Sequence, residues 1–213
     1  VFNETDKSYT ILNTEKMDQM SLILNFETTQ PIQSSIINEH NSYCAISLIP
    51  NLPISKDKNN EFVFLVDCSG SMKNMSIKRA SECLEVFIRS LPPNCFFNII
   101  RFGSNYTKLF PDSIQYDEKT AQMGIQYATK LEADLKGTNI FTPLEDLFHC
   151  KCMHGQRQVF ILTDGEVPNT EKVIELVMKN SNENRCFSVG IGRGCDAALV
   201  EIVANFTGGK CDF

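Results

Sequence analysis

The sequence predicts an α/β fold: a doubly wound, mostly parallel sheet flanked by helices, preceded by a β-rich segment. Three observations carry this. A continuous apolar run at Phe62–Val66 and largely apolar runs at Cys95–Phe102 and Gln158–Thr163 read as buried strands, as in a parallel sheet covered on both faces. Segments of helical period separate them. Residues 1 to about 60 differ in character, being rich in Asn, Ser, Thr and Ile with no glycine before Gly70. The expected division is residues 1–57 for the β-rich part and 58–213 for the α/β domain.

In the first part, β-like runs cover Ser8–Leu12, Ser21–Thr28 and Tyr43–Leu48, punctuated by Pro31, Pro50 and Pro53. In Ser21–Thr28, Leu22, Leu24 and Phe26 fall on one side, the period of two expected of a strand. Lys56–Glu61 is a polar linker.

The second part opens with Phe62–Val66, ending in Asp67, and then a Ser/Gly loop. Ile77, Ala80, Leu84, Phe87, Ile88 and Leu91 recur at three and four, which predicts a helix stopped by Pro92-Pro93. Cys95–Phe102 is the next strand, and Thr107–Phe110 a short edge strand. Residues 117–134 are helical in pattern, with Met123, Tyr127 and Leu131 on one stripe. After the Gly137-Thr138-Asn139 loop, Pro143 suits the first residue of a helix capped by Thr142. Gln158–Thr163 is a buried strand followed by Asp164. Thr170–Lys179 is a helix, Cys186–Ile191 a strand, Ala197–Asn205 a helix and Lys210–Phe213 a last strand. In such sheets ligands bind beyond the carboxyl ends of the strands.

Composition narrows the function. The chain has 213 residues, 42% hydrophobic and 22% charged, with a net charge of −6. These values fit a globular chain and exclude a wholly disordered one. The acidic balance argues against a nucleic-acid binder. No apolar stretch reaches the length of a membrane span. Nine cysteines, several inside apolar runs, read as free thiols in a reducing compartment. Sequons at Asn3, Asn74, Asn105 and Asn205 do not decide the compartment, since such triplets arise readily in an Asn-rich chain.

The chemistry gathers in three loops: Asp67-Cys68-Ser69-Gly70-Ser71-Met72, Lys136-Gly137-Thr138-Asn139-Ile140 and Thr163-Asp164-Gly165-Glu166. Two carboxylates and three hydroxyls would converge at one sheet edge. Hard oxygen donors suit Mg2+, Mn2+ or Ca2+ rather than Zn2+ or copper. Only two carboxylates leave coordination positions for water or for a carboxylate from outside.

These motifs resemble the metal-ion-dependent adhesion site of von Willebrand factor A domains, a Rossmann-like fold, over about residues 61–213. The resemblance implies that Ser69 and Ser71 are direct ligands and that Thr138 engages when the site is open. It implies that Asp67 and Asp164 act directly or through water. The function implied is divalent-metal-dependent protein binding, with a partner Asp or Glu completing the coordination and Met72, Asn139 and Glu166 on the rim. By analogy with integrin domains, movement of the Thr138 loop and of the last helix (about 196–205) would switch affinity.

The segments Phe64–Met72, Phe97–Ser104 and Arg157–Val167 are similar to a subfamily holding inter-α-trypsin inhibitor heavy chains, the vault poly(ADP-ribose) polymerase and cytoplasmic relatives. That implies a vault/inter-α-trypsin (VIT) domain upstream, with residues 1–57 as its connector. The closing Thr207–Phe213 resembles the intracellular branch, so the expected setting is cytoplasmic, with a larger multi-subunit complex as a further expectation.

Other readings compete. The domain could be a building block of a large intracellular assembly, with the metal only bracing the loops. An enzyme would need a general base beside the ion, and Glu166 is the one candidate, so no catalytic role is expected. His149-Cys150-Lys151-Cys152-Met153-His154 invites a zinc reading but fits a helix end with half-buried cysteines better. Cys68 has no His placed to activate it as a nucleophile.

Overall fold

The computed structural model describes residues 60–213, except 153, 154, 165, 166 and 193, together with four short strands among residues 1–59. The chain divides into two units, Val1–Ile54 and Ser55–Phe213.

In the first unit, β1 (Phe2–Asn3) pairs antiparallel with β2 (Ser8–Tyr9), and β3 (Ser35–Glu39) with β4 (Tyr43–Ser47). β4 lies within the run expected at Tyr43–Leu48. β3 was not expected, because Ile36 and Ile37 are too short an apolar run to show a period. Glu39 faces Tyr43 across the ladder, so hairpin pairing defines this strand. The expected strand at Ser21–Thr28 lies outside the described residues.

In the second unit, β5 (Glu61–Asp67) leads through a 3-10 turn (Gly70–Met72) into α1 (Met75–Arg89). Then come β6 (Phe96–Phe102), β7 (Tyr106–Lys108), β8 (Ile114–Gln115), α2 (Glu118–Thr129) and α3 (Phe141–His149). β9 (Arg157–Thr163), α4 (Thr170–Lys179), β10 (Asn184–Gly190), α5 (Ala197–Phe206) and β11 (Cys211–Asp212) complete it. The sheet order is β11-β10-β9-β5-β6-β7, with β8 also on β6. Every pairing from β11 to β6 is parallel, while β7 and β8 run antiparallel. The α/β class expected from the sequence is the one observed.

Alternation on the central strand builds a core on each face. Val63 and Leu65 join Leu144, Val173 and Leu199 of α3, α4 and α5. Phe64 and Val66 join Ala80, Leu84 and Ala128 of α1 and α2. β5 is therefore apolar on both sides, which explains its unbroken apolar run. The chain order turns at β5, flanked by β6 and β9, so a crevice opens where their carboxyl ends meet.

Two helices differ from expectation. α2 ends at Thr129 and buries Ala121, Gly124 and Ala128, whereas Met123 is 43% exposed. The cause is close packing. A Cβ on Gly124 would lie 3.1 Å from Phe97 Cε2 and 3.4 Å from Ile88 Cδ1, so this face has room only for small residues. α3 starts at Phe141, not at Pro143. Asn139 rather than Thr142 serves its first turn: Thr142 N–H donates to Asn139 Oδ1 at 3.3 Å. Pro143 still falls in the first turn, where its missing N–H costs nothing.

Candidate functional site

The site forms where β5 and β9 end side by side. Asp67 is the last residue of β5 and has no solvent exposure. Its Oδ1 accepts the Ser69 N–H at 2.8 Å, and its Oδ2 accepts the Thr163 hydroxyl at 2.7 Å. The first bond curls the chain tightly after the strand, and the second ties the ends of β5 and β9 together. Burial pushes the Asp67 carboxyl above its ordinary value. Hydrogen bonds from Ser69 and Thr163 oppose that push, and the neighbouring Asp164 charge adds to it.

The hydroxyls continue the cluster. Ser69, also buried, has its Oγ 2.9 Å from Ser71 Oγ. Ser71 is exposed and donates to Asp164 Oδ1 at 2.8 Å. Four of the five expected residues are thus joined: Asp67 to Ser69 through backbone, then Ser69, Ser71 and Asp164 through side chains.

Thr138 is half-buried, and no hydrogen bond joins it to those four among the described residues. Its loop is nonetheless fixed at the same sheet edge. Leu135 N–H donates to Cys68 O at 3.0 Å, and Asn139 N–H to Gly103 O at 2.8 Å. Cys68 N–H in turn donates to Phe102 O at 2.8 Å.

The expected rim fares unevenly. Met72 has no exposure and packs with Phe64, Val66 and Ala80, because the 3-10 turn points it into the core. It takes no place on a rim. Met75, three residues later at the start of α1, is 58% exposed. Asn139 is exposed, but its amide is bonded to Thr142. Glu166 lies outside the described residues. Thr163 and the backbone of Cys68 are further parts of the site. Thr163 stands beside Asp164 in the sequence motif, whereas nothing in the sequence marks the Cys68 backbone.

The donor set fits a hard divalent cation. Among the described residues, it offers two carboxylates and neutral hydroxyls, and no imidazole or thiol hydrogen-bonds to them. Among the described residues, no Lys, Arg or His forms an ion pair with Asp67 or Asp164. A buried carboxylate with no cationic partner calls for a counter-charge. Among the described residues, no three His, Cys, Asp or Glu side chains group to hold an ion. His154 of the competing zinc segment lies outside the described residues.

The sequence profile of the von Willebrand factor type A domain matches residues 60–213. The chain belongs to the von Willebrand factor A family. A rat von Willebrand factor A domain-containing protein 5A is 40% identical over 183 residues, covering 80% of this chain and 22% of that protein. The chain thus spans about a fifth of that relative's length. The A domain's fold recurs in solved structures. One is a von Willebrand factor type A protein from Catenulispora acidiphila, at a TM-score of 0.65 and 20% identity, covering 73% of this chain and 39% of that one. Another is the proximal thread matrix protein 1 of the mussel byssus with a zinc-occupied MIDAS motif, at 0.58 and 19%, covering 73% and 41%. A third is the manganese-loaded TRAP protein of Plasmodium vivax, at 0.55 and 20%, covering 70% and 63%.

Proposed function

We propose that the A domain is a divalent-metal-dependent protein-binding module. Asp67, Ser69, Ser71, Thr138 and Asp164 hold the ion, with Mg2+ the first choice and Mn2+ or Ca2+ next. The observation that carries this is the buried Asp67 carboxylate, joined through two serines to Asp164, with no cationic partner among the described residues. The bound ion supplies an open, oxygen-seeking coordination position, and an Asp or Glu of a protein partner fills it. The contact is directional and charge-assisted, while affinity comes mostly from the surrounding surface. Exposed Met75 and exposed Asn139 supply contact area in the flanking segments. The metal-loaded state of two proteins that share the fold supports this reading.

The role is binding rather than catalysis: among the described residues, both carboxylates of the cluster serve as ligands in this reading, which leaves neither as a free general base. The setting is intracellular and the chain belongs to the VIT-containing subfamily, within a larger assembly. Free thiols at Cys68, Cys83, Cys95, Cys150, Cys186, Cys195 and Cys211 support the reducing setting.

Thermal melts in EDTA, Mg2+, Mn2+ and Ca2+ test the metal. At a hundredfold excess over Kd, linkage stabilises by about 2.7 kcal/mol. The expected result is a raised melt in the wild type and none in Asp67→Ala or Asp164→Ala. A second arm measures capture of Asp- and Glu-containing peptides from a displayed library, with and without EDTA. Metal that raises the melt while capture ignores EDTA would point instead to a structural block whose ion only braces the loops. No metal response in the wild type overturns the proposal.

A further inference from the structure

We propose that Arg101 and Asp134 are positioning residues that clamp the Thr138 loop against the sheet and so set the affinity of the metal site. This rests on the metal-binding role proposed above. Arg101 lies on β6 opposite Val66, one position before Phe102 pairs with Asp67. Its guanidinium pairs with the Asp134 carboxylate and also donates to Glu132 O at 3.4 Å. Both acceptors lie in the stretch between α2 and α3 that carries Thr138. Beside them Leu135 N–H is bonded to Cys68 O, and Asn139 N–H to Gly103 O. Leu135 packs so closely that a Cβ on Gly103 would lie 2.3 Å from Leu135 Cβ. One ion pair, one hydrogen bond to a backbone carbonyl, two backbone bonds and one tight fit thus fix residues 132–139.

The division of labour among these contacts makes the assignment. The backbone bonds sit at Leu135 and Asn139, on either side of Thr138. The Arg101 contacts lie upstream, where the chain leaves α2 and has no regular structure. Arg101 is mostly buried, its side chain 18% exposed, and its Nε has no acceptor. A half-satisfied buried guanidinium is costly unless its other donors are well used. The Asp134 and Glu132 bonds use them, so releasing the loop exposes that cost. The clamp therefore holds the loop that carries Thr138 against the β5 and β6 ends before any ion arrives. Among the described residues, neither Arg101 nor Asp134 bonds a ligand itself; the clamp acts on the ion through the loop that carries Thr138.

The test uses Asp134→Asn, Arg101→Gln, Arg101→Lys and the double variant Arg101→Gln/Asp134→Asn. Mn2+ affinity is read from the electron paramagnetic resonance signal of the free ion. Amide hydrogen exchange at Leu135 and Asn139 and the melt in EDTA are measured in parallel. The expected result is Mn2+ binding weakened about tenfold in Asp134→Asn and in Arg101→Gln, with faster exchange at both amides. The double variant is no worse than either single change, and Arg101→Lys recovers part of the loss. Because Asp134 is exposed, its Asn variant keeps the EDTA melt near wild type, so a general loss of folding cannot mimic the result. Wild-type Mn2+ affinity in Asp134→Asn, or strict additivity in the double variant, overturns the clamp. Absence of Mn2+ binding in the wild type overturns the metal reading and the clamp together.

Discussion

At Gly209 the backbone leaves no room for a side chain: a Cβ would lie 1.7 Å from Cys186 O. Gly209→Ala must push β10 away from the segment that follows α5, and a loss of about 3 kcal/mol is expected in chemical denaturation. At the amino edge of the sheet, Glu61 and Arg157 form a buried ion pair at 2.9 Å, their side chains 8% and 3% exposed. Ser113 and Cys152 also donate to Glu61, and Arg157 also reaches Leu147 O, Cys150 O and Asn184 Oδ1. Burial pushes the Glu61 carboxyl up, but these donors and the Arg157 charge outweigh it and hold the carboxyl below its ordinary value. The stabilisation is thus full above the unfolded-state value of 4.5 and is lost as pH falls through the lower folded-state value. The expected outcome for Glu61→Gln is a loss of about 3 kcal/mol at pH 7 and a shallower acid limb in melts taken below pH 5. A wild-type acid limb in that variant would show that other carboxylates govern acid unfolding.

At the scale of elements, α2 reverses the usual reading of a hydrophobic stripe. Met123→Ala is expected to change stability by no more than about 0.5 kcal/mol, as for an exposed site. Gly124→Leu, against Phe97 and Ile88, is expected to cost about 1–3 kcal/mol. Denaturant titration of both variants ranks them. The apolar period marked this helix but not its buried face, because that face is selected by smallness and not by hydrophobicity. α3 teaches a related lesson. Thr142 and Pro143 signal a helix start, yet Asn139, two residues before the first helical position, holds the turn. Asn139→Ala should cost about 1 kcal/mol in EDTA, where no ion contributes. A melt unchanged in EDTA would return Asn139 to a purely surface role. The buried strands were legible because both their faces are covered, which leaves a run of apolar residues with little polar interruption. β8 was not, since it has two residues and is defined only by pairing to β6.

For the molecule as a whole, the strand-end placement of Asp67 and Asp164 was legible, because each follows an apolar run that can only be a central strand. Contacts that depend on chain reversal were not. Met72 reads as a loop residue until the 3-10 turn directs it inward. Arg101 reads as an interruption of a strand until the loop carrying Asp134 folds over it. The site's partners are also far apart along the chain: Thr163 and Asp67 are separated by 96 residues, and Ser71 and Asp164 by 93. That separation has a kinetic consequence. The first carboxylate is made early and the second after most of the domain, so no complete ion cradle exists until β9 enters beside β5. Closing so long a loop belongs to the late, rate-limiting ordering of a parallel sheet. An ion that needs both ends can then grip only what is already assembled. Stopped-flow measurements with Mg2+ should show unfolding slowed by nearly the full linkage factor and refolding left at its metal-free rate, so the cation acts as a latch on the finished domain and never as its template.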